Sequence, residues 1–121
     1  MIKGGFYKNS PYIQVIVAWG RAVQAPFFIL DTGFTGDLMA TPRIATELGL
    51  IVTGVENIQI ADGSIVRIPT ALALASMEGK SNLVTVLIQN STPLAGISLF
   101  TKFGYKAIVD CKHITVELHS A

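Results

Sequence analysis

The passage Phe27-Phe28-Ile29-Leu30-Asp31-Thr32-Gly33-Phe34-Thr35-Gly36 constrains the fold of this chain more than any other stretch. Four consecutive apolar residues have the length of a buried strand, and they deliver Asp31 to the point where the strand gives way to a turn. A carboxylate held there on a rigid support is placed for chemistry. Thr32 can donate its hydroxyl into a local network, while Gly33 and Gly36 permit backbone conformations and close approaches that a side chain would block. The plain structural reading of the same residues is a turn in which Asp31 accepts backbone hydrogen bonds.

The segments around this passage read as short strands. Residues 1–11 are polar and glycine-containing, and predict an N-terminal arm. Tyr12 to Trp19 is β-rich, Gly20-Arg21 turns it, and Ala22 to Leu30 returns as a hairpin that feeds Asp31. Asp37 to Ala40 predicts a short strand. Thr41-Pro42 then starts a helix that ends at Gly49, with Ile44, Ala45 and Leu48 on one buried face. Ile51 to Ile60 and Ile65 to Ala75 flank Ala61-Asp62-Gly63-Ser64, an Asp-Gly hairpin signal. After the polar loop 77–81, Leu83 to Ile88 reads as a strand buried on both faces. Asn90 to Pro93 breaks it, and the Asn90-Ser91-Thr92 triplet reads as loop. Ile97 to Phe103 predicts a second short helix ended by Gly104, and Ala107 to Asp110 and Ile114 to Leu118 are final strands. Many short strands with one or two short helices predict an all-β domain, a small closed barrel.

A chain of 121 residues suits one domain, 1–121, with a respectable core and no room for a second lobe. Half of its residues are apolar and only 14% are charged, against about a quarter in typical domains, which predicts apolar surface that meets a partner. A net charge of +1 with no basic run lacks the electrostatic footprint of nucleic-acid binding. The apolar runs at 12–19 and 83–88 are strand-sized, and Met1 to Lys8 lacks the apolar core of a signal peptide, so the expectation is a cytoplasmic protein with no membrane partner. A lone Cys111 forms no internal disulfide, in keeping with a reducing compartment.

Cys111, His113 and His119 lie close in sequence, but three possible ligands at this spacing match no usual structural zinc site. The expectation is no metal, with solvated histidines and Cys111 a small core residue. Asp37 is expected to serve local hydrogen bonding, and Asp110 to be polar at a strand end.

About sixty residues beyond Asp31 comes Leu94-Ala95-Gly96, opening the second helical run. Together, Leu30 through Thr35 and Leu94 through Gly96 resemble the paired motifs of the retropepsin-like aspartic proteases: an apolar residue, Asp-Thr-Gly, a variable residue and Ser or Thr, later joined by two hydrophobic residues and Gly. The likeness runs from about Tyr12 to Leu118. Ala95 is smaller than usual there, and Phe34 is bulkier than the usual Ala or Ser.

The resemblance implies a small closed barrel of the acid-protease type and a homodimeric aspartic endopeptidase, needing no cofactor, that cleaves an extended peptide or unfolded protein. Asp31 would be catalytic, with Thr32, Gly33, Leu94, Ala95 and Gly96 supporting it. Phe34, Thr35, Ile60, Asp62, Gly63 and Ser64 would contact substrate, the last four on a hairpin acting as a flap. One carboxylate cannot act at once as base for water and acid for the scissile amide, so a second copy must supply the other. The alternative is a catalytically silent peptide-binding or interaction module on the same fold.

Overall fold

The computed structural model describes residues 1–59 and 62–121, and among them it has twelve strands and two short helices. The strands are β1 (Ile2–Tyr7), β2 (Ser10–Gln14), β3 (Ile16–Trp19), β4 (Ala22–Gln24), β5 (Phe27–Leu30) and β6 (Leu38–Ala40), then β7 (Val52–Gln59), β8 (Ile65–Met77), β9 (Lys80–Ile88), β10 (Leu94–Ala95), β11 (Tyr105–Asp110) and β12 (Thr115–Ser120). Helix α1 (Pro42–Leu48) follows β6, and α2 (Ile97–Phe103) follows β10. Neither is long and apolar enough to cross a membrane.

Hydrogen bonding links the strands in the order β11-β12-β1-β2-β5-β10-β6-β9-β8-β3-β4, with β7 also on β8. The domain is mostly β, as expected, but the closed barrel is not what the pairing gives. Among the described residues the path is open, and its end strands β11 and β4 do not pair with each other. Strand β4 has only three residues and is joined to β5 through Ala25-Pro26, where proline has no N–H to offer a ladder.

Local chemistry accounts for most boundaries. The Thr41 hydroxyl accepts from the Ile44 amide at 3.2 Å, Pro42 opens α1, and Gly49 closes it in the left-handed conformation with φ 68°. Glu78 (φ 51°) and Gly79 (φ 76°) make the tight turn between β8 and β9, which therefore pair up to Met77 and Lys80. The polar stretch 77–81 is thus hairpin and not loop.

The N-terminal arm is likewise corrected. Lys8 and Asn9 both adopt positive φ and turn β1 into β2, while Ile2 to Gly4 pair with β12 and Gly5 to Tyr7 with β2. Ile2 and Phe6 pack against the main core, which a polar average over 1–11 conceals. The Met1 ammonium meets Glu78 at 2.6 Å, and the Tyr105 hydroxyl donates to the same carboxylate at 2.7 Å, so the chain start is tied to the β8–β9 turn and to β11.

Two apolar clusters result. The larger joins Ile13, Val15, Phe28, Leu30, Leu38 and Val86 to α2 through Leu99, Phe100 and Phe103. The smaller lies on the opposite face, where Met39, Ile68 and Leu87 pack with Phe34, Ile58, Val66 and Leu94. Alternation along β6 divides the two, with Leu38 and Ala40 in the first and Met39 in the second. Strand β9 is covered on both faces only near Val86 and Leu87. Its Leu83 is 51% exposed beside its cross-strand partner Leu74, because the smaller cluster does not extend that far.

Gly4 marks the place where β1 passes from β12 to β2, and a Cβ there would collide with the Tyr12 carbonyl oxygen. Backbone cannot swing aside as a flexible side chain can. Gly4→Ala is expected to cost about 3 kcal/mol, at the upper end of overpacking penalties. Urea unfolding of the two proteins measures it, and faster amide exchange in β1 and β12 would locate the damage.

Candidate functional site

Strand β5 pairs with β2 on one side and with the two-residue β10 on the other, so Asp31 emerges between two ladders. Its amide continues the ladder by donating to the Ala95 carbonyl at 3.0 Å. The chain then turns over Thr32 and Gly33. The Gly33 amide donates to Asp31 Oδ1 at 2.9 Å and the Phe34 amide to the Asp31 carbonyl at 3.2 Å. Oδ2 of Asp31 has no protein partner among the described residues, and Thr32 and Gly33 are exposed. Among the described residues, one oxygen is held and the other is not.

The loop 31–37 closes on the Leu94-Ala95-Gly96 segment. Strand β10 lies parallel to β5 and antiparallel to β6, so the loop that joins those two strands must pass around its end. Gly96 opens α2 with no side chain to cap the helix. The loop caps it instead: Ile97 N–H donates to the Phe34 carbonyl at 2.9 Å and Ser98 N–H to the Gly36 carbonyl at 3.2 Å. The Gly96 amide donates to the Asp37 carbonyl at 2.9 Å, and a Cβ on Gly96 would strike the Gly36 and Phe34 carbonyl oxygens. Leu94, Ala95 and Gly96 therefore lie directly against the Asp31 loop.

Phe34 lies three residues beyond Asp31 on the same loop. Its ring folds over Gly36, where a Cβ would meet ring carbons, and packs into the smaller cluster with Ile58 and Val66, a cross-strand pair of the β7–β8 hairpin. The bulky residue after Gly33 thus joins the loop to that hairpin. Thr35 is exposed.

The hairpin itself pairs Gln59 with Ile65, and Gly63 has φ 86° near its end. Asp62 Oδ1 accepts from the Ser64 hydroxyl at 2.6 Å and the Ser64 amide at 2.8 Å, and these two bonds, the hydroxyl first, hold its carboxyl below the ordinary value. Ile60, expected at this tip, and Ala61 lie outside the described residues. Asp62, Gly63 and Ser64 share the hairpin end and make no hydrogen bond to the Asp31 loop among the described residues.

Between the loop and β7 lies a cavity of about 730 Å³. Residues 33–37 form one wall and Glu56 to Gln59 another, with Thr85 and Leu87 from β9 and Ser98 and Lys102 from α2. Gly33, two residues past Asp31, is part of its lining, and the Asp31 carboxylate is not. Composition and motif spacing did not point to Thr85, Ser98, Lys102 or Glu56. The one available signal was Ser98 and Lys102 standing four apart on a predicted helix.

Asp37 does far more than local bonding. Its side chain is 4% exposed, and Oδ2 accepts from Lys102 Nζ at 2.6 Å and from the Thr85 amide at 2.9 Å. Burial alone pushes this carboxyl up; the Lys102 ammonium, the Thr85 amide and the neighbouring Ser98 hydroxyl outweigh it and hold the carboxyl below its ordinary 3.8. Oδ1 is buried with no hydrogen-bond partner. One side chain thus ties the loop to β9 and to α2.

Cys111 corrects another expectation, being exposed in the turn between β11 and β12. That turn is built by Asp110, whose carboxylate accepts from the Lys112 and His113 amides and pairs with His113 Nδ1 at 2.8 Å. Polar turn formation outweighs the burial of one small thiol. His119 lies 3.1 Å from Glu117.

No model of a known protein family matches this chain, and no curated protein matches it.

Removing the Lys102 ammonium leaves Asp37 buried without its counter-charge. Lys102→Met should cost about 2 kcal/mol at neutral pH, less than a fully buried pair because the lysine is 38% exposed. The folded-state value of Asp37 lies below its unfolded value, so this stabilisation is complete above 3.8 and is lost as pH falls through the lowered value. Urea unfolding from pH 7 downward should show the gap between the two proteins constant at first, then closing in the acid range.

Proposed function

We propose that this chain is one subunit of a homodimeric aspartic endopeptidase with a retropepsin-like fold. The observation that carries the reading is the Asp31 turn: a strand-end carboxylate, one oxygen held by Gly33 N–H and the other without a partner among the described residues, on a loop locked by Ala95, Gly96 and the start of α2. Rigid backing of a reactive group on both sides is what general acid–base chemistry requires. The exposed Thr32 and Gly33 supply a surface on which a second copy could bring its own Asp31 across a two-fold axis.

Two such carboxylates close together cannot readily both ionise, so the pair shares one proton. The charged member takes a proton from water as the water oxygen attacks the peptide carbonyl carbon. The protonated member hydrogen-bonds the carbonyl oxygen as negative charge develops there. A proton then passes to the amide nitrogen as the C–N bond breaks, and acid and amine leave. The peptide lies extended between the Asp31 loop and the β7–β8 hairpin, which acts as the cover, with Asp62, Gly63 and Ser64 near its tip.

A second reading, a silent peptide-binding module on the same fold, is favoured by one observation: the cavity between the loop and β7 does not include the Asp31 carboxylate in its lining. Asp31→Asn separates the two. The amide is nearly isosteric but takes up no proton from water, so cleavage of an unfolded protein at mildly acid pH should fall about a hundredfold or more. Turnover that survives the substitution would remove Asp31 from the chemistry.

Association is the second test. Sedimentation across a dilution series should reveal a reversible dimer, and a peptide mimic with a hydroxyl in place of the scissile amide should shift it toward the dimer, since ligand binds only the assembled site. A monomer at every concentration, with and without the mimic, would exclude the two-fold mechanism.

A further inference from the structure

We infer that the cavity between the Asp31 loop and β7 is a subsite for a basic side chain, arginine or lysine, of the bound peptide; this rests on the proposed peptidase reading and adds its substrate class. The cavity holds about 730 Å³, ample for a long side chain. Its apolar part is formed by Phe34, Ile58 and Leu87, which pack together beneath it. Such a surface suits the methylene stem of lysine or arginine, whose charged head needs a different environment at its end.

Charge selects that head. Three ionisable groups line the cavity, Asp37, Glu56 and Lys102. Lys102 is already committed, with Nζ 2.6 Å from Asp37 Oδ2 and 3.3 Å from the Leu83 carbonyl, so these two form a neutral pair. Glu56 is exposed and has no ion-pair partner among the described residues. It stands two residues from Ile58 on the same strand face, and both residues line the cavity. The uncompensated charge of the site is therefore one carboxylate.

The hydrogen-bonding inventory points the same way. Asp37 lines the cavity, and among the described residues its buried Oδ1 makes no hydrogen bond of good geometry, with the Ser98 hydroxyl the one donor close by. An orphaned acceptor is costly, and a guanidinium or ammonium entering beside it brings donors with no acceptor of its own. An acidic side chain would instead meet the Glu56 carboxylate, with only a lysine that is already paired to offset it. A purely apolar one would leave Glu56 without a counter-charge.

The test uses decapeptides with arginine walked through each position, and matched peptides carrying citrulline, its uncharged isostere. Binding is measured to the full chain bearing Asp31→Asn, so the readout does not require cleavage. At one position arginine should bind about tenfold more tightly than citrulline, the scale of a hydrogen bond to a charged group. Adding Glu56→Gln should bring that ratio close to one, and Glu56→Lys should turn it in favour of a glutamate peptide.

Equal binding of arginine and citrulline at every position, no binding of any peptide, or a ratio indifferent to both Glu56 substitutions would overturn the inference. The same peptides offered to the protein with Asp31 intact separate it from the activity on which it rests. Basic preference in binding without cleavage removes the peptidase and keeps the subsite. Cleavage without basic preference does the reverse.

Discussion

Everything at the candidate site depends on an exchange of backbone hydrogen bonds between the Asp31 loop and the start of α2. A helix beginning at Ile97 has unpaired amides, and Gly96 brings no side chain to cap them. The loop brings carbonyls with no ladder partner, those of Phe34, Gly36 and Asp37, and each finds an amide at Ile97, Ser98 or Gly96. Neither segment is satisfied alone. The contact is close enough that a Cβ on Gly96 would displace it, so the position of Asp31 rests on the absence of one side chain sixty-five residues away.

The side-chain layer reinforces that backbone lock. Asp37 is the last residue of the loop and is buried, which by itself disfavours its charge, yet Lys102 from α2 and the Thr85 amide from β9 stabilise the carboxylate more than burial penalises it. Phe34 ties the same loop in the other direction, into the smaller cluster beneath the β7–β8 hairpin. A loop of seven residues is thereby connected to three separate elements.

The surface has its own consistency. With 14% charged residues, the chain cannot cover its sheet with ions, and Leu72, Leu74 and Leu83 stand on an open face. Few charges also mean that each one present matters. The Met1, Glu78 and Tyr105 group closes the chain start onto β11, and burial together with Glu78 pushes the Tyr105 hydroxyl up to about 12. Asp110 organises the last turn, and Asp37 and Lys102 organise the loop.

Local signals were legible in the sequence wherever a residue type dictates its own backbone. Thr41, Pro42 and Gly49 bounded α1, Gly104 ended α2, and Phe27 to Leu30 made the strand that ends at Asp31, all as their chemistry requires. The pairing of the Asp31 stretch with Leu94 to Gly96 was legible too, but only through two motifs read together. Sequence by itself thus determined a mostly β domain and that Asp31 stands where a strand gives way to a turn. Tertiary structure decided what depends on partners distant in sequence: that residues 2–7 are a strand between β12 and β2 and not an arm, that the sheet stays open, that Cys111 is exposed, and that Asp37, Thr85 and Lys102 meet at one point. The physical reason is that strand order, burial and ion pairing are properties of contacts, and a contact between residue 37 and residue 102 leaves no trace in the local preferences of either.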